Sequence, residues 1–204
     1  MAIIFGSLDY WISCPCLCIF NDTNILRPEN CKFYYLQKGV SDKERERRLE
    51  LQKLPNVTHG FQEDNGLYYI KRFVNTAEYF YNIMKEAKVE TVVIEDYSLH
   101  GSGRLVDIVE ATMALKLKLL EGGMHLYGIP PKTNKKIFSG NGNSNKEGMI
   151  AAAKREYGWD IIDRWEKDYY GSPVSDIVDS YSLIYTYMNM TDDERTKYIM
   201  FWTT

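Results

Sequence analysis

Residues 91–129 read as a short apolar run, TVVIEDY, then RLVDIVEATMALKLKLLEGG, then a second apolar run, MHLYGI. The middle segment has apolar residues at helical spacing and ends at Gly122 and Gly123, which suit a helix terminus. No other feature constrains the fold as much. Strands joined through a helix pair parallel in one sheet, with helices covering its faces.

Upstream, residues 2–8 (AIIFGSL) and 16–20 (CLCIF) read as two strands joined through a turn containing Pro15, and CKFYYLQ at 31–37 as a third, which together make a three-stranded meander. Between about Asn75 and Lys88, Ala77, Phe80, Tyr81, Met84 and Ala87 predict an amphipathic helix, with Thr76 able to cap it. The segment SDKERERRLELQKL, with Ser41 and Glu44 at capping-box spacing, predicts a solvated helix or helical arm. Residues 57–72 give no firm assignment. After Pro130, PPKTNKKIFSGNGNSNKEGM carries Lys132, Lys135, Lys136 and Lys146 among Gly, Asn and Ser, which predicts a loop facing phosphate. Helices are expected from about Asn145 to Tyr157 and again from about Ser175. The fold class expected is therefore α/β, a central mixed five-stranded sheet flanked by helices, in one domain spanning residues 1–204. A chain of 204 residues that is 45% hydrophobic and 26% charged suits a single core of that size.

Several function classes fit poorly. The N-terminal apolar stretch is interrupted by Asp9, has no basic leader, and reads as core strand rather than signal or membrane segment. Cys14, Cys16 and Cys18 would share one strand face as small hydrophobes, and no second Cys or His pair stands where a zinc site needs it. With Cys31, they suit a reduced, cytoplasmic protein that is not secreted. GSG at 101–103 lacks the Gly-Lys-Ser/Thr ending of a phosphate-binding loop. His59, His100 and His125 form no recognisable arrangement with a reactive cysteine. The net charge of −3 leaves room for one local basic surface.

The acids carry more information. Asp9 stands at the end of the first strand and Glu95 at the end of the fourth, while Asp176 and Asp179 lie three apart at the start of an apolar helix, on one face. Taken singly, Asp9 could cap a turn, Glu95 could pair with a lysine and Asp176 could cap a helix. Gathered in hydrophobic surroundings, all four are costly unless a cation neutralises them. Magnesium fits, because it takes hard oxygen ligands and few protein carboxylates per ion.

The order of strand-end Asp, strand-end Glu and helical D-x-x-D resembles the RuvC-type Holliday junction resolvases, members of the RNase H-like (retroviral integrase) fold. The likeness runs through FGSLDYWISCPCLCIF, VVIEDYSLHGSGRLVDIVEATMALKLKLLEGGMHLYGI, PKTNKKIFSGNGNSNKEGM and VSDIVDSYSLIYTY. It differs in its first turn, where Tyr10 and Trp11 follow Asp9, and at about 38–72, which has no counterpart in the family and reads as an insertion, as in a divergent branch of phage or viral kind. The resemblance implies a magnesium-dependent endonuclease of branched DNA, serving recombination and repair. Asp9, Glu95, Asp176 and Asp179 would hold two magnesium ions, with manganese as substitute, and Asp9 would bridge them. The family's basic residues would fall on Lys135 and Lys146. Lys132, Lys135, Lys136 and Lys146 would hold the DNA backbone, with Lys146 also stabilising transition-state charge. The helix over 104–121 would support a homodimer with two active sites for opposed strands. Two other readings stay open: a broader nuclease cutting flaps and forks, and a non-catalytic DNA-binding relative.

Overall fold

The computed structural model describes residues 2–10, 12–37, 56–62, 69–96, 105–159, 161 and 171–201. The charged segment from Ser41, residues 97–104 and Trp11 lie outside the described residues.

The described strands form one mixed sheet: β1 (Ile4–Asp9), β2 (Cys16–Asn21), β3 (Lys32–Gln37), β4 (Val57–Phe61), β5 (Thr91–Glu95), β6 (His125–Ile129) and β7 (Ile199–Phe201). Their spatial order is β4-β3-β2-β1-β5-β6-β7. β1 to β3 form the antiparallel meander, and β5 and β6 add to it in parallel beside β1. The sheet has seven strands where five were expected. β4 comes from the stretch left unassigned, and its weakly alternating VTHGF gave little strand signal. β7 is a three-residue edge strand, antiparallel to β6 and too short to show a period.

Six helices accompany the sheet: α1 (Tyr69–Glu86), α2 (Leu105–Glu121), α3 (Pro131–Ser139), α4 (Lys146–Tyr157), α5 (Val174–Met188) and α6 (Asp192–Thr196). α1 begins six residues before the expected start, and Phe73 joins Thr76, Ala77, Phe80 and Met84 on its buried stripe. α2 buries Ala111, Thr112, Leu115 and Leu119, but Leu105, Ile108 and Val109 are only half-buried. Val106, Met113, Leu117 and Leu120 are exposed on α2.

The largest correction concerns residues 131–139, expected as a loop and found as α3. Pro131 supplies the fixed φ of a first helical turn, Asn134 and Phe138 form a buried i,i+4 pair, and Gly140 closes the helix at φ 83°. At that φ an L side chain would be strained. Lysine density disguised an amphipathic helix. α4 starts as expected, its Asn145 side chain accepting a hydrogen bond from the Gly148 N–H.

Strand alternation sorts side chains between two cores. One face buries Phe5, Cys16, Cys18, Phe33, Tyr35 and Val93 beneath α3, α4 and α5. The other buries Leu8, Leu17, Ile19, Leu36, Val92 and Ile94 beneath α1 and α2. Each fully buried large side chain contributes about 1.5–3 kcal/mol by leaving water. α5 is buried nearly all round, consistent with its apolar sequence. The Ser7 hydroxyl donates to the Ser180 carbonyl at 2.6 Å and locks α5 to β1.

Candidate active site

β1, β3, β4, β5 and β6 all run in one direction, so their carboxyl ends share one edge of the sheet. The parallel register of β1 on β5 pairs Leu8 with Ile94. The next step along each strand brings Asp9 level with Glu95. Both follow the alternation onto the α5 face, and α5 lays its first turns over that end of β1.

The result is a cavity of about 330 Å³ lined by Asp9, Glu95, Asp176 and Asp179, with Lys135 and Lys146 also in its wall. The expected acids therefore meet in one place. Of the four expected lysines, Lys135 and Lys146 line the cavity; Lys132 and Lys136 are exposed on α3. Asp96 does not line it.

Asp9 is 1% exposed, and neither of its carboxyl oxygens has a hydrogen-bond partner among the described residues. Burial, then the charges of Asp179, Glu95 and Asp176, push its carboxyl well above the usual range, and Lys146 opposes them. Asp176 is buried, and its Oδ2 has no hydrogen-bond partner among the described residues. Burial raises its carboxyl too, against hydrogen bonds from Ser172, Cys14 and Ser175 and the charge of Lys146. Burial pushes Glu95 up to about 7, with Lys135 pulling the other way. Asp179 rises to about 8 through burial and the charges of Glu95 and Asp176. These directions define an anionic cavity short of positive charge.

Two polar contacts set the lysines. The Lys146 ammonium donates to Ser175 Oγ at 3.0 Å, and that hydroxyl lies 3.4 Å from Asp176 Oδ1. Asn134 donates to Ser182 Oγ at 2.8 Å and accepts from the Thr186 hydroxyl at 2.8 Å, which fastens α3 to α5 and fixes where its neighbour Lys135 sits. Ser13, Asn134, Asn145, Met149 and Ser172 also line the cavity, and sequence reasoning did not single them out. The helical spacing of Asn134 and Phe138 was the available signal for Asn134. Ser13 and Ser172 gave none.

The donor set suits a divalent cation. Carboxylate oxygens are hard ligands, and the buried unpartnered ones on Asp9 and Asp176 want positive charge or a donor. Among the described residues the acids are not drawn into a closed cluster that could hold a metal, so they share a cavity without forming a cage. All four cysteines are buried, and Cys14, Cys16 and Cys18 pack on one face as small core side chains.

A mixed sheet with this strand order, crossed by a carboxylate-bearing helix, defines an RNase H-like fold. More narrowly the fold is RuvC-like. The structure of Thermus thermophilus RuvC is similar to this chain, with a TM-score of 0.56 and 14% identity over 97% of this chain and 98% of that one. The Thermus thermophilus RuvC in complex with Holliday junction substrate is similar over the same shares, with a TM-score of 0.58 and 13% identity. No protein-family model and no curated protein sequence matches the chain. No described helix is long and apolar enough to cross a membrane.

Proposed function

We propose that this chain is a divalent-cation-dependent endonuclease that hydrolyses phosphodiester bonds in branched DNA, with the four-way Holliday junction as its principal substrate and recombination and repair as its setting. One observation carries the reading: four carboxylates from three distant stretches of sequence share a cavity in which both buried oxygens of Asp9, and Oδ2 of Asp176, have no hydrogen-bond partner among the described residues. The RuvC-like fold supports it, as does the junction bound by the Thermus thermophilus protein.

In this reading Asp9, Glu95, Asp176 and Asp179 hold two magnesium or manganese ions. Such ions, when bound, would bring positive charge to the scissile phosphate and lower the pKa of a water so that its deprotonated form is the attacking nucleophile. The chain's own residues do the rest. β1 and β5 mount Asp9 and Glu95 rigidly, and the first turns of α5 bring Asp176 and Asp179 to them. Glu95 and Asp179 hold their protons up to about pH 7 and 8 and release them as cations enter. Lys135 and Lys146 place ammonium groups at the cavity for phosphate, and Lys146 is poised by Ser175 to stabilise transition-state charge. Lys132 and Lys136, exposed on α3, contact the backbone further out.

Cutting opposed strands calls for two such sites. The exposed Val106, Met113, Leu117 and Leu120 on α2 support a homodimer. Four buried cysteines, none joined in a disulfide among the described residues, support a reducing intracellular setting, the cytoplasm of a bacterial or phage-infected cell.

The test is cleavage of end-labelled four-way junction, flap and linear duplex with magnesium, manganese or chelator. Metal-dependent, paired cuts in the junction are expected, with linear duplex intact. Equal cutting of flaps and junctions would replace the resolvase with the broader branch-cutting enzyme. Junction binding without cutting in either metal would leave a non-catalytic DNA-binding protein.

A further inference from the structure

A second cavity, also of about 330 Å³, opens between α1 and the end of β4, on the sheet face opposite the acids. It lies at the same carboxyl edge, because Gln62 directly follows β4 and Arg72 stands in the first turn of α1, which runs back along the sheet before β5. Two donors in its wall are unmatched. Gln62 is 7% exposed, and its Nε2 has no hydrogen-bond partner among the described residues. Arg72 Nε is likewise buried without an acceptor. A guanidinium donor left in this state is costly, and an oxyanion is the ligand that satisfies both groups at once.

We propose that this cavity is an oxyanion site that holds a non-scissile backbone phosphate of the nucleic acid cut at the acid cluster. The proposal rests on the nuclease reading for the source of that phosphate. The Arg72 guanidinium is steadied over the Phe73 ring at 5.4 Å, leaving its planar fork for a phosphate. The buried Thr76 adds a hydroxyl to the wall. One carboxylate, Glu78, lines the cavity too, but it is exposed and faces the Lys118 ammonium at 3.9 Å. β4 lies three strands from β1, about 14 Å across the sheet. A duplex arm lying across the carboxyl edge can present one phosphate to Asp9 and another to Arg72.

Two measurements on the full chain test this. The first follows the Arg72 Nε–H resonance during addition of inorganic phosphate in chelator. A saturable shift is expected, weakened in Gln62→Leu; no saturable shift overturns the site. The second measures binding to an uncut labelled junction in chelator as salt is varied. Arg72→Gln is expected to flatten the slope of log affinity against log salt by about 0.9, equally for junction and linear duplex. Arg72→Lys, which keeps the charge and loses the fork, is expected to preserve the slope while weakening binding several-fold. An unchanged slope in Arg72→Gln, with thermal midpoints matched to wild type, overturns the assignment to nucleic acid, as does a shift of Arg72 by an acidic peptide that competes with no DNA. Wild-type protein that shows the Arg72-dependent slope but cuts nothing with magnesium or manganese keeps this site and loses the nuclease reading.

Discussion

Leu8 and Asp9 are neighbours on β1, as Ile94 and Glu95 are on β5, yet each pair divides between the two faces of the sheet. Leu8 and Ile94 join Leu17, Val92 and Leu126 beneath α1 and α2, where the core is apolar to the ends of the strands. Asp9 and Glu95 turn to the other face and meet Asp176 and Asp179 of α5. The same backbone thus carries a face built for stability and, one residue on, a face that concentrates negative charge. Moving a strand by one residue would exchange them. Function at this edge costs stability, because each raised carboxyl records a charge held where the fold disfavours it.

Substitutions on the two faces should separate these roles. Asp9→Asn is expected to lower metal-dependent junction cleavage by about 10³-fold or more, comparable to losing a principal electrostatic group. It should also raise the thermal midpoint in chelator at pH 8.5, since Asn cannot ionise where burial and neighbouring carboxylates disfavour the charged form. Leu8→Ala should do the reverse: unfolding in denaturant is expected to show a loss of about 2–5 kcal/mol. The folded fraction should still cut. If Leu8→Ala abolished cutting without loss of stability, the division between faces would be wrong.

Next in size is a pH effect confined to the acid face. Glu95 and Asp179 titrate at about 7 and 8 in the folded chain, against ordinary values of 4.5 and 3.8. The folded state therefore binds more protons between those limits. Its stability is full below about pH 4 and falls as pH rises through 7 to 8. In chelator, the thermal midpoint should drop by several degrees between pH 5 and pH 8.5, at about 2–4 °C per kcal/mol for a chain of this size. Magnesium should restore most of that loss at pH 8.5 and little at pH 5. A midpoint that rises with pH in chelator would contradict the assigned shifts.

The smallest effect sharpens the comparison within the acid face. Ser175→Ala removes the hydroxyl that holds Lys146 at 3.0 Å. Cleavage is expected to fall several-fold while metal affinity stays close to wild type, because the hydrogen bond of one hydroxyl is worth about 0.5–1.5 kcal/mol. Parallel binding and single-turnover assays separate the two.

Much of this architecture is legible in the residues. The short apolar runs CLCIF and KFYYLQ and the helix–strand order of 75–129 give the meander and its parallel additions, because strands covered on both faces are apolar along their length. Acids at element ends mark the cavity, since nothing local requires a carboxylate beside Leu8 or Ile94. What sequence conceals depends on distant partners. α3 looks like a basic loop until Asn134 is seen bonded to Ser182 and Thr186, 48 and 52 residues away. β4 reads as irregular because VTHGF relies on pairing with β3 rather than on its own apolar period. The Lys146–Ser175 contact joins residues 29 apart and leaves no spacing signal.

Manganese titration of the DNA-free protein, followed by the loss of the free-ion electron paramagnetic resonance signal, tests the acid cavity most directly. About two ions per chain should bind at pH 8, fewer at pH 6, and binding should weaken sharply in Asp9→Asn and in Glu95→Gln. Manganese uptake that is unchanged in both variants, or absent from the wild-type protein at pH 8, would show that these carboxylates do not hold divalent ions.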